Sequence, residues 1–168
     1  MDASQRPLAG TRVIEFTHMV MGPSVGVILG DLGADVIKIE PIKGDNTRRL
    51  QGSGAGYFPM YNRNKRSLCL DLKSPRGVEL LHRLVARADV VVENFRAEVK
   101  QRLGLAYDEL ARVNPRIILA SISGFGQSGP YADRPGVDQI VQGLSGLMSV
   151  TGERDGPPQR VGVAVSDT

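Results

Sequence analysis

Hydrophobic and polar positions alternate along residues 11–40 in a pattern that predicts a strand, a helix and a second strand. Thr11–Thr17 alternates and carries β-branched residues, which is typical of a strand. Pro23 then begins a helix, because proline in a first helical turn needs no amide partner. Asp35–Glu40 predicts the next strand. A β-α-β unit of this kind has parallel strands and a right-handed crossover.

The predicted helix has two different faces. One is apolar, with the i, i+3, i+4, i+7 spacing of a face turned to the core: Val25, Ile28, Leu29 and Leu32. The other is a stripe of glycines: Gly26, Gly30 and Gly33. Glycine costs up to about 1 kcal/mol at each position inside a helix. The stripe therefore indicates that a sheet, a second backbone or a ligand comes close.

The same alternation of strands and helices continues to the end of the chain. Further strands are predicted at Arg66–Leu72, Asp89–Phe95, Arg116–Ile122 and Val161–Val165. Further helices are predicted after a Ser74 cap, around Ala97–Leu103, at Tyr107–Val113, and at Gly136–Val150 with Ile140, Val141, Leu144, Leu147 and Met148 inward. We expect the long connection Pro41–Lys65 to be functional or to contain short helical turns. This order predicts an α/β fold, a Rossmann-like open, mostly parallel sheet with helices on both faces.

In such a sheet, ligands bind at the carboxyl ends of the strands. The segments predicted there are Thr17–Ser24, Glu40–Lys43, Asp71–Lys73, Asn94–Arg96, Ser123–Gly129 and Ser166–Thr168. Nine Lys/Arg and three acidic residues lie within residues 38–76. That surplus suits a phosphate-bearing ligand, but on charge alone a solvated basic face is the favoured interpretation.

Composition narrows the class of protein. The 168 residues suffice for one domain with a real core, and 41% of them are hydrophobic. No apolar run approaches a membrane span and no signal peptide is visible, so we expect a cytoplasmic protein without membrane contacts. The single cysteine, Cys69, excludes an internal disulfide and is expected to be an inert core thiol. Aromatic residues make up only 5%, which argues against nucleic-acid binding.

Local motifs identify no chemistry by themselves. The first β-α turn, FTHMVMGPS, lacks the Gly-x-Gly-x-x-Gly fingerprint, which argues against a standard NAD site. His18 lies in this turn, but no acid partner can be placed beside it. His, Cys and acidic residues do not stand at metal-ligand spacing, so no metal site is predicted. On local pattern, Asp167 fits a helix cap better than a catalytic group.

Six segments, in order along the chain, carry a family resemblance: PLAGTRVIEFTHMVMGPS, LGDLGADVIKIEP, YNRNKRSLCLDLKSPRG, ADVVVENFR, LGLAYDELARVNPRIILASISGFGQSGPY and TGERDGPPQRVGVAVSD. Together they resemble the class III coenzyme A transferases, the group of formyl-CoA and carnitine-CoA transferases and the related α-methylacyl-CoA racemases. The resemblance covers essentially the whole chain, which makes it more specific than any single motif.

The resemblance implies a transferase without a tightly bound cofactor, whose substrates are an acyl-CoA and a carboxylic acid acceptor. Asp167 falls on the nucleophile position. It would attack the thioester to give an acyl-aspartyl anhydride, which the CoA thiolate converts to an aspartyl-CoA thioester; the acceptor acid then takes the CoA by the reverse steps. Only a carboxylate nucleophile gives an anhydride that can pass its carbonyl to the thiolate. The resemblance also implies an interlocked homodimer in the full-length form.

The coenzyme-binding residues are implied in the same way. Val20 and Met21 fall against the pantetheine. Nearer the nucleotide and its phosphates fall Leu70, Asp71, Leu72, Lys73, Asn94, Phe95, Arg96 and Arg102. A further stretch that contacts CoA corresponds to Arg134, Pro135, Gly136 and Val137.

Two departures from the family pattern shape the hypothesis. Val137 stands where the racemases carry a histidine before an aspartate, and valine cannot carry a proton, so transfer is favoured over racemisation. Family chains are also longer, with a small domain and a C-terminal segment. We therefore expect residues 1–168 to be the N-terminal part of the CoA-binding large domain, inactive alone and with exposed apolar surface. The alternatives are an acyl-CoA racemase that uses Asp167 and His18, or an inactive CoA-binding remnant.

Overall fold

The computed structural model describes residues 5–167, apart from the side chains of Ser53 and Ala97. The chain divides into two compact units, Met1–Ile122 and Ser123–Thr168. Thr168, which ends the predicted segment Ser166–Thr168, lies outside the described residues. Within the described ranges, no helix is long and apolar enough to cross a membrane.

The first unit contains a sheet and five α-helices. Its strands are β1 (Arg12–Phe16), β2 (Asp35–Glu40), β3 (Lys65–Cys69), β4 (Val90–Glu93) and β5 (Ile118–Ser121). Its helices are α1 (Met21–Asp31), α2 (Tyr57–Tyr61), α3 (Pro75–Val85), α4 (Ala97–Arg102) and α5 (Tyr107–Val113). The second unit contains α6 (Asp138–Leu144) and a 3₁₀ turn at Leu147–Val150.

The strands form one open sheet in the order β3-β2-β1-β4-β5. Every pairing is parallel: Ile14 of β1 lies opposite Ile37 of β2 on one side and Val91 of β4 on the other. The predicted α/β fold is thus confirmed. The strand order reverses between β1 and β4, which is the switch point where sheets of this type bind ligands.

Alternate residues of each strand face two different cores. Ile14, Val91 and Ile39 pack on one face with Leu81 of α3 and Leu110 of α5. Val13, Val36 and Val92 pack on the other, against Val25 and Leu29 of α1. Because both faces are covered, the central strands are apolar almost throughout, as in other parallel sheets. Val91 and Val92 are both fully buried.

The inner face of α1 differs from the predicted one. Gly26 and Gly30 of the glycine stripe are buried, and Gly33 is half-buried just beyond the helix, whereas Ile28 is 58% and Leu32 is 40% exposed. A Cβ on Gly26 would lie 1.7 Å from Glu15 Oε2 of β1, and one on Gly30 would lie 3.3 Å from the carbonyl oxygen of Asn64. The close approach that the stripe predicts is confirmed. The apolar-face prediction is wrong for Ile28 and Leu32, because Gly26 and Gly30, and not the centre of the predicted apolar face, lie against the sheet.

The edge strand β3 is more exposed than its sequence predicts. Leu68 is 38% exposed and the Cys69 thiol is exposed, so the prediction of a core thiol is wrong. β3 has a neighbouring strand on one side only, and its helix cover is incomplete. The predictions for the two following features are confirmed. Ser74 Oγ accepts a hydrogen bond from the amide of Gly77 at the start of α3. The 41–65 connection contains short helical turns at Asn46–Arg49, Gly52–Gly54 and α2.

Two predictions for the second unit are wrong. The predicted helix Gly136–Val150 is broken at Gly146, whose φ of +81° is left-handed. Of its predicted inward residues, Ile140 and Leu144 are 44% and 59% exposed. Gln142 is buried instead, because its amide bonds Asp138 and the backbone of the 161–163 segment. That segment forms bends and a turn rather than a last strand: the Val161 amide donates to the Gln142 side chain, and within residues 5–167 no strand pairs with the segment.

We expect Gly26→Ala to destabilise the first unit. The new methyl group would meet the Glu15 carboxylate, which Lys38 and Lys65 hold in place. Overpacking of this kind lowers the free energy of unfolding by about 1–3 kcal/mol, measurable by urea denaturation. Gly56→Ala is the matched control, since a Cβ there has nothing within 4 Å. Equal stability of the two variants would contradict the tight α1–sheet contact.

Candidate functional site

The turns after β1 and β4 meet at the switch point of the sheet. Asn94 joins them: its Oδ1 accepts a hydrogen bond from the His18 amide at 3.1 Å, and its Nδ2 donates to the His18 carbonyl at 2.9 Å. A Cβ on Gly22 would lie 2.6 Å from Thr17 Cβ and 3.0 Å from Asn94 Cγ, so α1 begins tightly against this clamp. The structure therefore brings together the predicted residues Val20, Met21 and Asn94–Arg96.

The turn between β1 and α1 buries some of its side chains and exposes others. Val20 is buried, while Met21 is 37% and Met19 is 43% exposed. Met19 has a φ of +69°, a left-handed conformation that a residue with a Cβ adopts only when its surroundings impose it. His18 is exposed, and its ring stacks against Phe95 with 6.2 Å between the centroids. Among the described residues, no carboxylate contacts the His18 side chain, so the structure adds nothing to its possible role as a base.

A buried carboxylate anchors the segment after β4. Glu93 is fully buried, and its Oε2 accepts a hydrogen bond from the Phe95 amide at 2.8 Å. Lys100 of α4 lies 3.4 Å from Glu93 Oε1 and donates to Ser121 Oγ of β5 at 3.0 Å. The predicted residues Phe95 and Arg96 are thus held between β4 and α4.

The predicted segment after β3 begins in the core and ends at the surface. Leu70 is buried, whereas Asp71 and Lys73 are exposed. Asp71 Oδ1 accepts a hydrogen bond from the Lys73 amide at 3.0 Å, which shapes the entry to α3. The Leu70 side chain is therefore not available to a ligand, and its amide donates to the Glu40 carbonyl at 2.9 Å. Arg102 is exposed in the last turn of α4.

The most unusual feature of the first unit is a buried ionic cluster that the sequence reasoning missed. Glu15 of β1, Lys38 of β2 and Lys65 of β3 all lie on the α1 face, each with a side chain at most 2% exposed. Lys65 Nζ is 2.8 Å from Glu15 Oε2, and Lys38 Nζ is 3.5 Å from Glu15 Oε1. Lys38 also lies 3.0 Å from Asp45 and donates to the Thr17 carbonyl at 2.6 Å. Charged residues inside two otherwise apolar strands were the signal available in the sequence, because buried charges need partners.

Hydrogen bonds determine the ionisation of the next carboxylate in this cluster. Burial raises the pKa of Asp45, but hydrogen bonds from Thr47 and the charge of Lys38 outweigh burial and hold the pKa below its usual value. The Thr47 amide and hydroxyl donate to Asp45 Oδ1 at 2.8 and 2.7 Å. Because Lys38 binds both Asp45 and the Thr17 carbonyl, it holds the start of the 41–65 connection near the turn that follows β1.

Glu40, at the end of β2, is fully engaged with protein groups. Arg48 Nε and Nη2 donate to its two oxygens at 2.7 and 2.6 Å, while the Asp45 amide and Ser67 Oγ donate at 2.8 and 2.6 Å. The hydrogen bonds from Arg48 are the main reason that the pKa of Glu40 falls to about 2. Dinucleotide-binding sheets place an acidic residue in this region to bind ribose hydroxyls. Glu40 has no oxygen left for that role.

Ion pairs account for most of the basic surplus in residues 38–76. Six of the nine cations pair with carboxylates: Lys38, Arg48, Arg63, Lys65, Arg66 and Arg76. Lys43, Arg49 and Lys73 form no ion pair within residues 5–167 and are exposed. The cations left either to bind a phosphate-bearing ligand or to form a solvated basic face are therefore these three residues. Residues 5–167 contain no cluster of His, Cys, Asp or Glu that could hold a metal ion.

The second unit holds the other predicted coenzyme-binding stretch. Arg134 is exposed, and its guanidinium carbon lies 4.1 Å from the centre of the Tyr131 ring. Gly124 and Gly136 touch, since a Cβ on either would lie 2.4 Å from the other's Cα. This contact closes the 124–136 loop at its base and places Val137 at the start of α6.

The predicted nucleophile lies one residue from a polar anchor. Asp138 Oδ1 accepts hydrogen bonds from the Ser166 amide at 3.0 Å and from its hydroxyl at 2.7 Å, while Oδ2 accepts from Gln142 at 2.7 Å. The bond from the Ser166 side chain is the main reason that the pKa of Asp138 lies below its usual value. The half-buried Asp167 behaves oppositely: burial, and then the negative charge of Asp138, raise its pKa. Sequence reasoning did not identify Asp138 as the residue that holds this turn.

The chain is similar to known proteins in both sequence and structure. A sequence model of CoA-transferase family III matches residues 8–168. The chain is 50% identical to a succinate–glutarate CoA-transferase of Agrobacterium fabrum, over 96% of this chain and 43% of the relative. It is also 50% identical to an acetyl-CoA:oxalate CoA-transferase of Acetobacter aceti, over 93% of this chain and 41% of the relative. A crystal structure of a CAIB/BAIF family protein from Brucella suis is 47% identical with a TM-score of 0.89, over 96% of this chain and 45% of that one. The chain spans about two fifths of the length of the curated relatives it matches.

We expect Arg48→Met to raise the pKa of Glu40 and to destabilise the first unit by about 2 kcal/mol at neutral pH. A carboxyl group with a depressed folded pKa stabilises the fold above its unfolded pKa, and that stabilisation is lost as the pH falls towards the folded value. In the wild type this loss extends from about pH 4.5 down to about pH 2. In the variant the loss should still begin near the unfolded pKa of 4.5, but it should end at higher pH and be smaller, as measured by urea denaturation across the acid range. Arg63→Met, which breaks an exposed pair with Asp31, is the control and should leave the profile unchanged.

We expect Asp138→Ala to release the turn that carries Asp167. Loss of the acceptor for the Ser166 amide should speed hydrogen exchange at that amide by about tenfold or more, since a hydrogen bond to a charged group contributes about 1.5–3 kcal/mol. Nuclear magnetic resonance of the labelled chain would measure this. Asp133→Ala removes an exposed carboxylate of the same unit and should leave the Ser166 amide unchanged. Equal exchange in both variants would contradict the anchoring role.

Proposed function

The chain belongs to CoA-transferase family III, and from this premise we propose that it moves coenzyme A from an acyl-CoA to a carboxylic acid. The observation that carries the proposal is the Asp167 carboxylate, half-buried and with a raised pKa. A carboxylate with a raised pKa is more basic, and therefore a better nucleophile once ionised. The names of the relatives pair CoA with succinate, glutarate or oxalate. We propose a small dicarboxylic acid as one of the substrates.

The proposed reaction is a double displacement at the Asp167 side chain. A carboxylate oxygen of Asp167 attacks the thioester carbonyl of the acyl-CoA, the carbon–sulfur bond breaks, and CoA leaves as the thiolate. The thiolate then attacks the aspartyl carbonyl of the resulting anhydride, which releases the donor acid as a carboxylate and leaves an aspartyl-CoA thioester. The acceptor carboxylate repeats these two steps in reverse. Negative charge is conserved at every step, so no external acid, base or metal is required.

The first unit is proposed to hold the coenzyme. Met21 and the backbone of Val20 are assigned to the pantetheine, since both lie in the turn at the switch point of the sheet. The exposed cations Lys73, Arg96 and Arg102 are assigned to the phosphates. Asn94 is assigned a positioning role, because its amide already holds both backbone groups of His18.

Racemisation is the weaker alternative. It requires a group at position 137 or nearby that exchanges a proton at the α-carbon, and Val137 has no such group. Asp138 has both of its oxygens occupied by Ser166 and Gln142. We also propose that residues 1–168 correspond to the N-terminal part of the large domain and do not complete the transfer cycle alone, as they match about two fifths of the relatives' length. The interlocked homodimer stays a prediction.

The proposal is tested by trapping the covalent intermediate. We expect incubation with acetyl-CoA, succinyl-CoA or oxalyl-CoA, followed by hydroxylamine, to give a mass change that maps to Asp167. Asp167→Asn keeps the size of the side chain but removes the nucleophile, and should give none. Asp133→Asn changes an exposed carboxylate in the same unit and should still give the product at Asp167.

The other outcomes have distinct meanings. CoA binding without any adduct would contradict transfer and favour a CoA-binding remnant. Incorporation of solvent deuterium at the α-carbon of the acyl group, without an adduct, would favour racemisation. A mass change at another residue that persists in Asp167→Asn would overturn the assignment of the nucleophile.

A further inference from the structure

Three elements of the first unit meet at the ammonium group of Lys65. Its Nζ donates to Glu15 Oε1 of β1 at 3.0 Å and lies 2.8 Å from Oε2 of the same carboxylate. It also donates to the Pro23 carbonyl in the first turn of α1 and to the Tyr61 carbonyl at the end of α2, both at 2.8 Å. Asn62 Oδ1 lies at 3.2 Å. An ammonium has three N–H donors, so these acceptors use all of them. The Lys65 side chain is only 2% exposed.

The α1 backbone packs directly on this group. A Cβ on Gly26 would lie 3.0 Å from Lys65 Cε and inside contact distance of the Glu15 carboxylate. The helix therefore has no room to shift towards the sheet, and the bond to the Pro23 carbonyl prevents a shift away from it. Lys65 thus fixes where α1 begins.

Lys65 holds the first turn of α1 at Pro23, and Asn94, which follows β4, holds the connection between β1 and α1 at His18. Between the two anchors lies the left-handed Met19, followed by Val20 and Met21. A strained conformation persists when the surrounding structure holds both of its ends. Removal of one anchor should therefore relax the turn as well as the start of the helix.

We infer that Lys65 is a positioning residue for acyl-CoA: its ammonium group holds the first turn of α1 in place and so sets the position of Val20 and Met21. The part of this inference that concerns acyl-CoA rests on the proposed function. The part that concerns the position of α1 does not. Lys65 does not touch the reacting atoms, and its role acts entirely through the turn.

The position of Lys65 makes this anchor sensitive to pH. Burial lowers the pKa of Lys65 to about 8, although the charge of Glu15 acts in the opposite direction. The charged groups that face it are Glu15 from β1, Lys38 from β2 and Asp45 from the connection after β2; α1 and α2 present the carbonyl oxygens of Pro23 and Tyr61. Above that pH the ammonium becomes a neutral amine with one donor fewer, and the anchor weakens.

Global stability changes in the opposite direction over the same pH range. The folded chain loses the Lys65 proton near pH 8, whereas the unfolded chain keeps it to its usual value of 10.5. Where the unfolded state binds more protons, stability rises with pH. This titration therefore adds to the free energy of unfolding as the pH rises between those values. A loss of acyl-CoA affinity in that range cannot be attributed to unfolding caused by Lys65.

The test measures acetyl-CoA binding by calorimetry from about pH 7 to about pH 9.5, a range in which the thioester form of CoA has no thiol to titrate. We expect the dissociation constant of the wild type to rise roughly tenfold across this range. Lys65→Met should bind roughly tenfold more weakly at pH 7 and show no further pH dependence. Arg66→Met is the matched control: it removes a cation one residue away, from an exposed pair with Asp35, and should behave like the wild type.

Amide hydrogen exchange without ligand supplies a second readout. Exchange at residues 24–27 should be faster in Lys65→Met than in Arg66→Met. If Lys65→Met does not fold, the double variant Glu15→Gln/Lys65→Met, which leaves no unpaired carboxylate, takes its place with the same expected results. Failure of the wild type to bind acetyl-CoA would refute the proposed function, and exchange alone would then decide whether Lys65 anchors α1. Unchanged exchange in the Lys65 variant, or unchanged affinity and pH profile where the wild type binds, would overturn the inference.

Discussion

The first unit depends on a carboxylate that lies buried between two lysines. Glu15 cannot be hydrated, so its charge must be stabilised by Lys38 on the neighbouring strand β2 and by Lys65 on β3, the strand beyond it. This requirement couples the register of three parallel strands to one ion cluster. It also determines the packing of α1, because only a residue without a side chain fits above the Glu15 oxygens. The glycine stripe and the charged strand positions are thus two aspects of one constraint.

The same cluster shapes the edge of the sheet where ligands bind. In dinucleotide-binding sheets a glycine-rich turn brings the backbone close to a pyrophosphate. Here side chains hold the backbone instead. Asn94, which follows β4, binds both backbone groups of His18 in the turn between β1 and α1, and Glu93 binds the Phe95 amide. Arg48 donates to both oxygens of Glu40. This turn exposes methionine side chains and lacks the glycines with which a backbone approaches a pyrophosphate, which agrees with the pantetheine contact proposed for Met21. In the proposed function, the exposed cations Lys73, Arg96 and Arg102 contact the phosphates.

In the second unit, one carboxylate fixes the residue beside another carboxylate and shifts its pKa. Asp138 binds the amide and hydroxyl of Ser166 and so fixes the residue before Asp167. Its charge also opposes ionisation of Asp167. Two neighbouring carboxylates therefore have opposite pKa shifts, a separation that marks the assignment of roles in many catalytic pairs. The structural anchor is the more acidic group, and the proposed nucleophile is the more basic one.

Sequence alone determined the class of fold, the strand order of the β-α-β start and the family, because periodicity and ordered family segments are local or linear properties. It also identified the glycine stripe as a close contact. Which group makes that contact was decided only by tertiary structure, since the neighbours of Gly26 come from β1 and β3. The exposure of Ile28, Cys69 and Leu144 was likewise beyond local pattern, because exposure depends on what covers each face. The partners of the buried charges, and the shifts of pKa that follow, exist only once distant strands lie side by side.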